Sequence, residues 1–207
     1  MNNLHKLIAK LLKNKKRPIL FICGLGGSGK TTLAKQIESE ADISSVAVHS
    51  DWWLKYSTVV RKKRIKDALD SGDSKLIEQE ENPQNWYKRW ETLSTNLHTL
   101  QSTGKLTIHS AWNQKTGEKD LTVKLKVPEN GLIIFDGIYL LHPEIAYTAD
   151  FIVLLDLPPE VCRKRSEKRD SHRSSPEYLA YKASLLQKYD IPYFDKYRSN
   201  ADYLLNN

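Results

Sequence analysis

Ile19-Leu20-Phe21-Ile22-Cys23 runs straight into Gly24-Leu25-Gly26-Gly27-Ser28-Gly29-Lys30-Thr31, and this junction decides the fold. The first five residues are a short apolar run of strand formers that stops at a glycine-dense turn, as a buried strand does. From Thr31 to Glu40, Leu33, Ala34 and Ile37 recur on one helical face, and Val46 to His49 returns to strand character. A strand, a helix and a second strand in this order imply a parallel sheet with right-handed crossovers, and so an α/β fold.

The turn fits the pattern G-x-x-x-x-G-K-S/T. Gly24, Gly26, Gly27 and Gly29 let backbone N–H groups, Ser28 among them, converge on phosphate oxygens. Lys30 would reach the β- and γ-phosphates, Thr31 would place its hydroxyl on Mg²⁺, and the following helix would turn its positive end to the same charge. Kinases, GTPases, motor ATPases and nucleotide switches share such a loop, so other residues must decide among them. Asn113-Gln114-Lys115-Thr116 lacks the aspartate of a guanine-reading NKxD, and no LSGGQ-like signature of an ABC-type ATPase is present.

Leu132-Ile133-Ile134-Phe135-Asp136-Gly137 is an apolar strand ending in a carboxylate, where an acid would hold the Mg²⁺ shell. The plainer alternative is an aspartate that opens a turn before Gly137. Asp51 follows the strand Val46 to His49. Strand carboxyl ends in a doubly wound sheet open onto the ligand crevice, so Asp51 should face the loop and accept the proton of an attacking hydroxyl. A helix N-cap or Asx turn is the competing role for Ser50-Asp51. Arg165, Arg169 and Arg173 recur at i+4 steps; on a continuous helix they line one stripe that an anion such as transferring phosphate would relieve. The alternative is a solvated basic face balanced by Glu167 and Asp170.

The remaining sequence bounds the reading. Its 207 residues suit one domain, 40% are hydrophobic and 28% charged, and no apolar run reaches the length of a membrane span. Cys23 and Cys162 show no CxxC spacing, which argues against a zinc site or disulfide framework and for a reducing, cytoplasmic setting. The formal charge of +7 gathers in Lys6 to Arg17, Arg61 to Lys66 and Arg163 to Arg173. Leu4, Leu7, Ile8, Leu11 and Leu12 make the first of these an amphipathic helix expected to dock on the core. Arg61-Lys62-Lys63-Arg64, in a basic helix from Thr58 to Leu69, reads as a solvated face or as a draw for an acidic acceptor or nucleic acid. Ser71 to Asn85 reads as a polar connection, Trp86 to Leu100 as a helix, and Leu106 to His109 with Leu121 to Val127 as hairpin arms. Phe151 to Leu155 and Tyr203 to Leu205 complete the buried strands.

Trp52 and Trp112 lie beside proposed functional turns and are candidates to line an acceptor pocket. Trp86 and Trp90 continue the stripe of Leu93, Leu97 and Leu100 and read as core. His49, His109, His142 and His172 lack metal-like spacing and receive no role.

Five motifs arrive in order: Gly24 to Thr32, His49-Ser50-Asp51-Trp52-Trp53, Phe135-Asp136-Gly137-Ile138-Tyr139, Arg165 through Arg169-Asp170 to Arg173, and Ala201-Asp202-Tyr203. From Arg17 to Leu205 the chain therefore resembles the uridine kinase and phosphoribulokinase group of P-loop kinases. The resemblance implies a P-loop NTPase fold: a five-stranded parallel sheet with helices on both faces, a small hairpin insertion and an arginine-bearing lid. Residues 1–207 then form one kinase domain, with a leading helix at 1–16, acceptor-side helices and hairpin at 52–130 and the lid at 160–176. ATP and Mg²⁺ are the implied cofactors.

With the readings above, the nucleotide is expected at Gly24, Gly26, Gly27, Ser28, Gly29, Lys30, Thr31, Thr32 and Arg173, and the metal at Thr31 and Asp136. Catalysis is expected from Asp51, Lys30, Arg165 and Arg169, and contact with a small hydroxyl acceptor from Asp51, Trp52 and Trp112. A nucleoside is the first expectation for that acceptor; a sugar, a sugar phosphate or a vitamin alcohol would leave the motifs unchanged. Three positions depart from the group: Asp136 stands where glutamate is usual, Arg173-Ser174 replaces Arg-Gly, and Ala111 to Gly117 replaces a nucleoside-holding Tyr-Asp-Phe segment. The alternatives are a kinase of nucleic-acid ends and a regulatory nucleotide switch. Neither a nucleic-acid nor a membrane partner is expected.

Overall fold

The computed structural model describes residues 2–39, 44–87, 90–172 and 174–206. Helix α1 (Asn2–Asn14) leads into β1 (Ile19–Gly24), the glycine turn, α2 (Lys30–Glu38) and β2 (Ser45–His49). Three helices follow, α3 (Thr58–Ser71), α4 (Ser74–Glu81) and α5 (Trp90–Thr103), and then a hairpin of β3 (Lys105–Ala111) and β4 (Leu121–Lys126). Strand β5 (Leu132–Gly137), short α6 (Pro143–Ala146), β6 (Phe151–Leu155) and α7 (Pro159–Asp170) come next. The last elements are α8 (Pro176–Leu185), a π turn at Leu186–Asp190, α9 (Ile191–Tyr197) and β7 (Tyr203–Leu205). Five strands pair in parallel in the order β2-β5-β1-β6-β7, and β3 and β4 form a separate antiparallel ribbon.

Every residue of β1 and β5 is buried, as strands covered on both faces require, which is why both read as unbroken apolar runs. Ile19, Phe21 and Cys23 face a core shared with Leu93, Leu97 and Leu100 of α5, while Leu20 and Ile22 face Leu4 and Ile8 of α1 and Leu33 and Ile37 of α2. Helices therefore cover both faces, and the α/β P-loop NTPase fold expected from the glycine junction is the one adopted. The leading helix docks as its spacing predicts: Leu4 and Ile8 are fully enclosed, each worth about 1.5–3 kcal/mol of burial. No helix among the described residues is long and apolar enough to cross a membrane.

Three local expectations change, and one stretch without a reading proves helical. Ser71 to Asn85 is not irregular, because Asp73 caps α4 by accepting from the Lys75 and Leu76 amides, and Asn82 opens a 3-10 turn at Pro83–Trp86. Helix α4 is short, with only Leu76 and Ile77 as large apolar residues, so its cap is the clearer mark. Helix α5 begins at Trp90 rather than Trp86: Trp86 sits in that 3-10 turn, and Tyr87 pairs with Leu54 in an isolated bridge. Helix α7 ends at Asp170, so no single helix carries the arginine stripe as far as position 173. Finally, residues 176–197, which show no clear period, form α8, the π turn and α9; Pro192 lacks the N–H that would continue a regular ladder, and the helix widens just before it.

Candidate active site

Parallel register brings the site together. Strands β2 and β5 pair with His49 beside Asp136, and β1 and β5 pair with Cys23 beside Gly137, so the glycine loop, the Asp51 turn and Asp136 leave the sheet along one edge. Within the loop, Gly24, Gly27 and Gly29 all have positive φ, at 151°, 90° and 100°. Gly27 is also closed in by α7, since a Cβ there would lie 2.3 Å from the Cys162 carbonyl oxygen. Gly29 is the N-cap of α2, which aims that helix's positive end at the loop. The Ser28 hydroxyl is buried without a hydrogen-bond partner among the described residues, and Thr32 is exposed on the first turn of α2.

Lys30 folds back on the loop, where its ammonium donates to the carbonyls of Gly24 at 2.8 Å and Leu25 at 3.0 Å. Burial pushes the Lys30 pKa down, and the Asp136 and Asp51 carboxylates oppose that shift. Both acids thus act on the lysine that would meet the phosphates.

Asp136 is 5% exposed. It accepts from the Thr31 hydroxyl at 3.1 Å and lies 2.5 Å from His49 Nδ1. The pair raises the His49 pKa, chiefly through that hydrogen bond. Asp136 does not open a turn; one of its oxygens accepts from Thr31 and the other meets His49, which leaves each a lone pair. A hydroxyl and a carboxylate side by side are hard oxygen donors of the kind Mg²⁺ takes one or two of, so these residues fit the metal.

Asp51 sits in the 3-10 turn Ser50–Trp53, exposed, with Oδ1 accepting from the Tyr87 hydroxyl at 2.9 Å. It caps no helix, because the N-cap of that turn is His49 and that of α3 is Ser57. Burial, with the neighbouring Asp51 charge, holds the Tyr87 pKa well above the ordinary phenol value, so Tyr87 stays a donor. Trp52 stands edge-on to His49 at 5.0 Å, and its carbonyl accepts from the Trp112 amide at 3.2 Å, which ties the hairpin to the Asp51 turn. Trp112 in turn donates its indole N–H to the Gly117 carbonyl.

On α7, Arg165 is exposed, whereas Arg169 turns back to Asp170 with contacts of 3.0 and 3.2 Å. Lys182 of α8 meets the same carboxylate at 2.6 Å. Arg173 lies outside the described residues. Gly26, Arg163, Arg169, Lys182 and Asp190 line a cavity of about 180 Å³ between the loop, α7 and α8. Asp190 accepts from the Tyr139 hydroxyl, and burial pushes its carboxyl up to about 6.

The geometry therefore gathers Lys30, Thr31, Asp136 and Asp51 around one edge, places Trp52 and Trp112 beside them, and leaves Arg169 tied to Asp170. His49 and Tyr87 are the partners that sequence reading misses. Neither has a telltale spacing: His49 reaches Asp136 through strand register, and Tyr87 reaches Asp51 from 36 residues away. Of the two tryptophans read as core, Trp90 is buried there, and Trp86 packs partly buried against the same core with Arg61 over its ring.

The chain belongs to the AAA domain family (AAA_18), whose family model matches residues 20–179. No curated protein matches the sequence. Solved structures share its fold across nearly the whole chain. One is described as a "possible uridine kinase" from Bacillus stearothermophilus: identity is 23%, coverage is 98% of this chain and 99% of that one, and the TM-score is 0.59. Phosphoribulokinase from Rhodobacter spheroides is 14% identical over 93% of this chain and 71% of its own, with a TM-score of 0.65. D-glycerate 3-kinase from Cryptococcus neoformans is 11% identical over 98% and 92%, with a TM-score of 0.63. At these identities the likeness is one of fold, and it is the fold of the group that the ordered motifs resemble.

Proposed function

We propose that this protein moves the γ-phosphoryl group of ATP to a hydroxyl of a small acceptor. The observation that carries the reading is geometric: the Thr31 hydroxyl next to Lys30 donates to Asp136, and the turn bearing Asp51 leaves the sheet beside the same strand end, so that a phosphate-reaching ammonium, a base and a metal-holding acid would work at one edge. Asp51 has one oxygen held by Tyr87 and the other open to accept the acceptor proton. The acceptor oxygen then forms its bond to the γ-phosphorus as the bond to the β–γ bridging oxygen breaks, and ADP leaves.

Lys30 would leave the Gly24 and Leu25 carbonyls for the β- and γ-phosphates, while the loop amides and Thr32 hold the triphosphate. Thr31 and Asp136 would hold Mg²⁺, which supplies charge neutralisation between the β- and γ-phosphates. Arg165, and Arg169 once it releases Asp170, would answer the charge on the transferring group, with Arg173 from the segment that follows α7. Trp52 and Trp112 would wall the acceptor. Two free, buried thiols agree with a cytoplasmic setting.

The acceptor is a small hydroxyl compound. The resemblance puts a nucleoside first, although the hairpin lacks the segment that would hold one. A screen of hydroxyl acceptors for stimulated ADP release tests the reading: at least one should raise ADP release well above the ATP-only rate. If none does, the protein is a nucleotide-binding switch and not a kinase.

A further inference from the structure

The basic run on α3 is not uniform. Lys63 pairs with Asp67, Lys66 with Asp70, and Arg64 with Glu80, so three of its cations have carboxylates. Arg61 and Lys62 have none among the described residues; each lies over an aromatic ring instead, Arg61 4.7 Å from Trp86 and Lys62 4.6 Å from Tyr178. Arg61 Nη1 is buried with no hydrogen-bond partner among the described residues. A buried guanidinium nitrogen left unpaired is costly, and an oxyanion accepting from it removes the cost.

The surroundings are built to hold Arg61 in place. The Trp86 indole N–H donates to the Glu80 carbonyl at 2.8 Å, which fixes the ring beneath the guanidinium. Lys55 donates its amide to the Trp86 carbonyl at 2.7 Å, joining this turn to the segment that follows Asp51. Tyr87, next in sequence to Trp86, is the residue that holds Asp51. Burial lowers the Arg61 pKa, while Tyr178, Tyr87 and Asp51 pull it back, so the guanidinium feels the catalytic carboxylate without bonding it.

We propose that Arg61, with Lys62 beside it, binds an oxyanion on the acceptor, a carboxylate or a phosphate monoester, and that the acceptor class is an acidic hydroxy compound rather than a neutral nucleoside. The proposal rests on the phosphotransfer reading only for what the acceptor hydroxyl does at Asp51. An acceptor seated by its anion at Arg61 presents a hydroxyl to the open oxygen of Asp51. The stacked Arg61 and Lys62 discriminate by charge; Trp52 and Trp112 discriminate by shape.

The test separates binding from turnover. Protein whose loop is already filled with a non-hydrolysable ATP analogue and Mg²⁺ is titrated with inorganic phosphate, with lactate, and with propane-1,2-diol as the neutral control, read by calorimetry and tryptophan fluorescence. At least one oxyanion should bind saturably and the diol should not. Arg61→Gln should weaken that binding about 10- to 100-fold, and Arg61→Lys should restore part of it. If Arg61→Gln melts at a lower temperature, Arg61→Lys carries the comparison, since it keeps the charge and loses the fork.

Binding of phosphate alone assigns a phosphate monoester, and binding of lactate alone a carboxylate. Absence of oxyanion binding, or equal binding by wild type and Arg61→Gln, overturns the proposal. So does efficient phosphorylation of an uncharged nucleoside with a KM that Arg61→Gln leaves unchanged. Oxyanion binding that depends on Arg61, with no transfer to any acceptor, would uphold the anion site and sink the kinase reading.

Discussion

Tyr87 occupies one carboxylate oxygen of Asp51, and in the proposed mechanism the acceptor proton goes to the other. Asp51→Asn keeps the shape and the Tyr87 contact but cannot take the proton. It should lower kcat by about 10²- to 10⁴-fold with ATP binding retained, measured by steady-state kinetics beside nucleotide titration. Asp190 supports a prediction of opposite kind. Its folded pKa of about 6 lies above the ordinary carboxylate value, so the folded chain holds the extra proton and stability falls as pH rises from about 4 to 6. The full penalty, roughly 3 kcal/mol, applies above that window. Asp190→Asn should therefore raise the melting temperature at pH 7.5 and lose that advantage near pH 4. Among single side chains, Lys30, Thr31, Asp51 and Asp136 were legible because each has a fixed offset from a strand end or a glycine turn. Tyr87 and Asp190 were not, since only tertiary contact gives them their partners, and Arg61 was visible only as one cation of a basic run.

The glycine loop and α7 form one packed unit. Gly27 combines a φ of 90° with a Cβ position 2.3 Å from a backbone oxygen of α7, whereas Gly29, at 100°, has open space around it. Both substitutions to alanine incur left-handed strain of about 1–2 kcal/mol. Gly27→Ala must also push α7 away. It should cost clearly more stability than Gly29→Ala and should weaken nucleotide binding further, as urea unfolding and nucleotide titration would register. Strand positions were read correctly because β1 and β5 are buried on both faces and so carry no polar interruption. Helices α4, α8 and α9 were hidden for the reverse reason: their faces are mixed, and caps such as Asp73 and Ser175 mark where two of them start.

The sheet divides the molecule into two cores with different duties. One face, with Leu4 and Ile8 of α1 and Leu33 and Ile37 of α2, only supports; the other, with α5 and the hairpin, backs the Asp51 turn through Trp53, 1% exposed, and Tyr87. Leu4→Ala and Ile8→Ala should each cost about 2–5 kcal/mol of stability in denaturant unfolding, while KM for ATP in the folded protein stays near wild type. The order of the motifs along the chain made the architecture legible. The side proposed for the acceptor was less so, because there α3, the Trp86 turn and α8 come together around Arg61 and Lys62 only in the folded chain.

Phosphoryl transfer itself is best followed with ATP labelled at the γ-phosphate, incubated with Mg²⁺ and a panel of acidic and neutral hydroxy compounds. The label should appear covalently on an acceptor hydroxyl, at a rate that falls about 10²- to 10⁴-fold in Asp51→Asn. Label released only as inorganic phosphate, at the same rate with or without acceptor and with or without the Asp51 carboxylate, would contradict it.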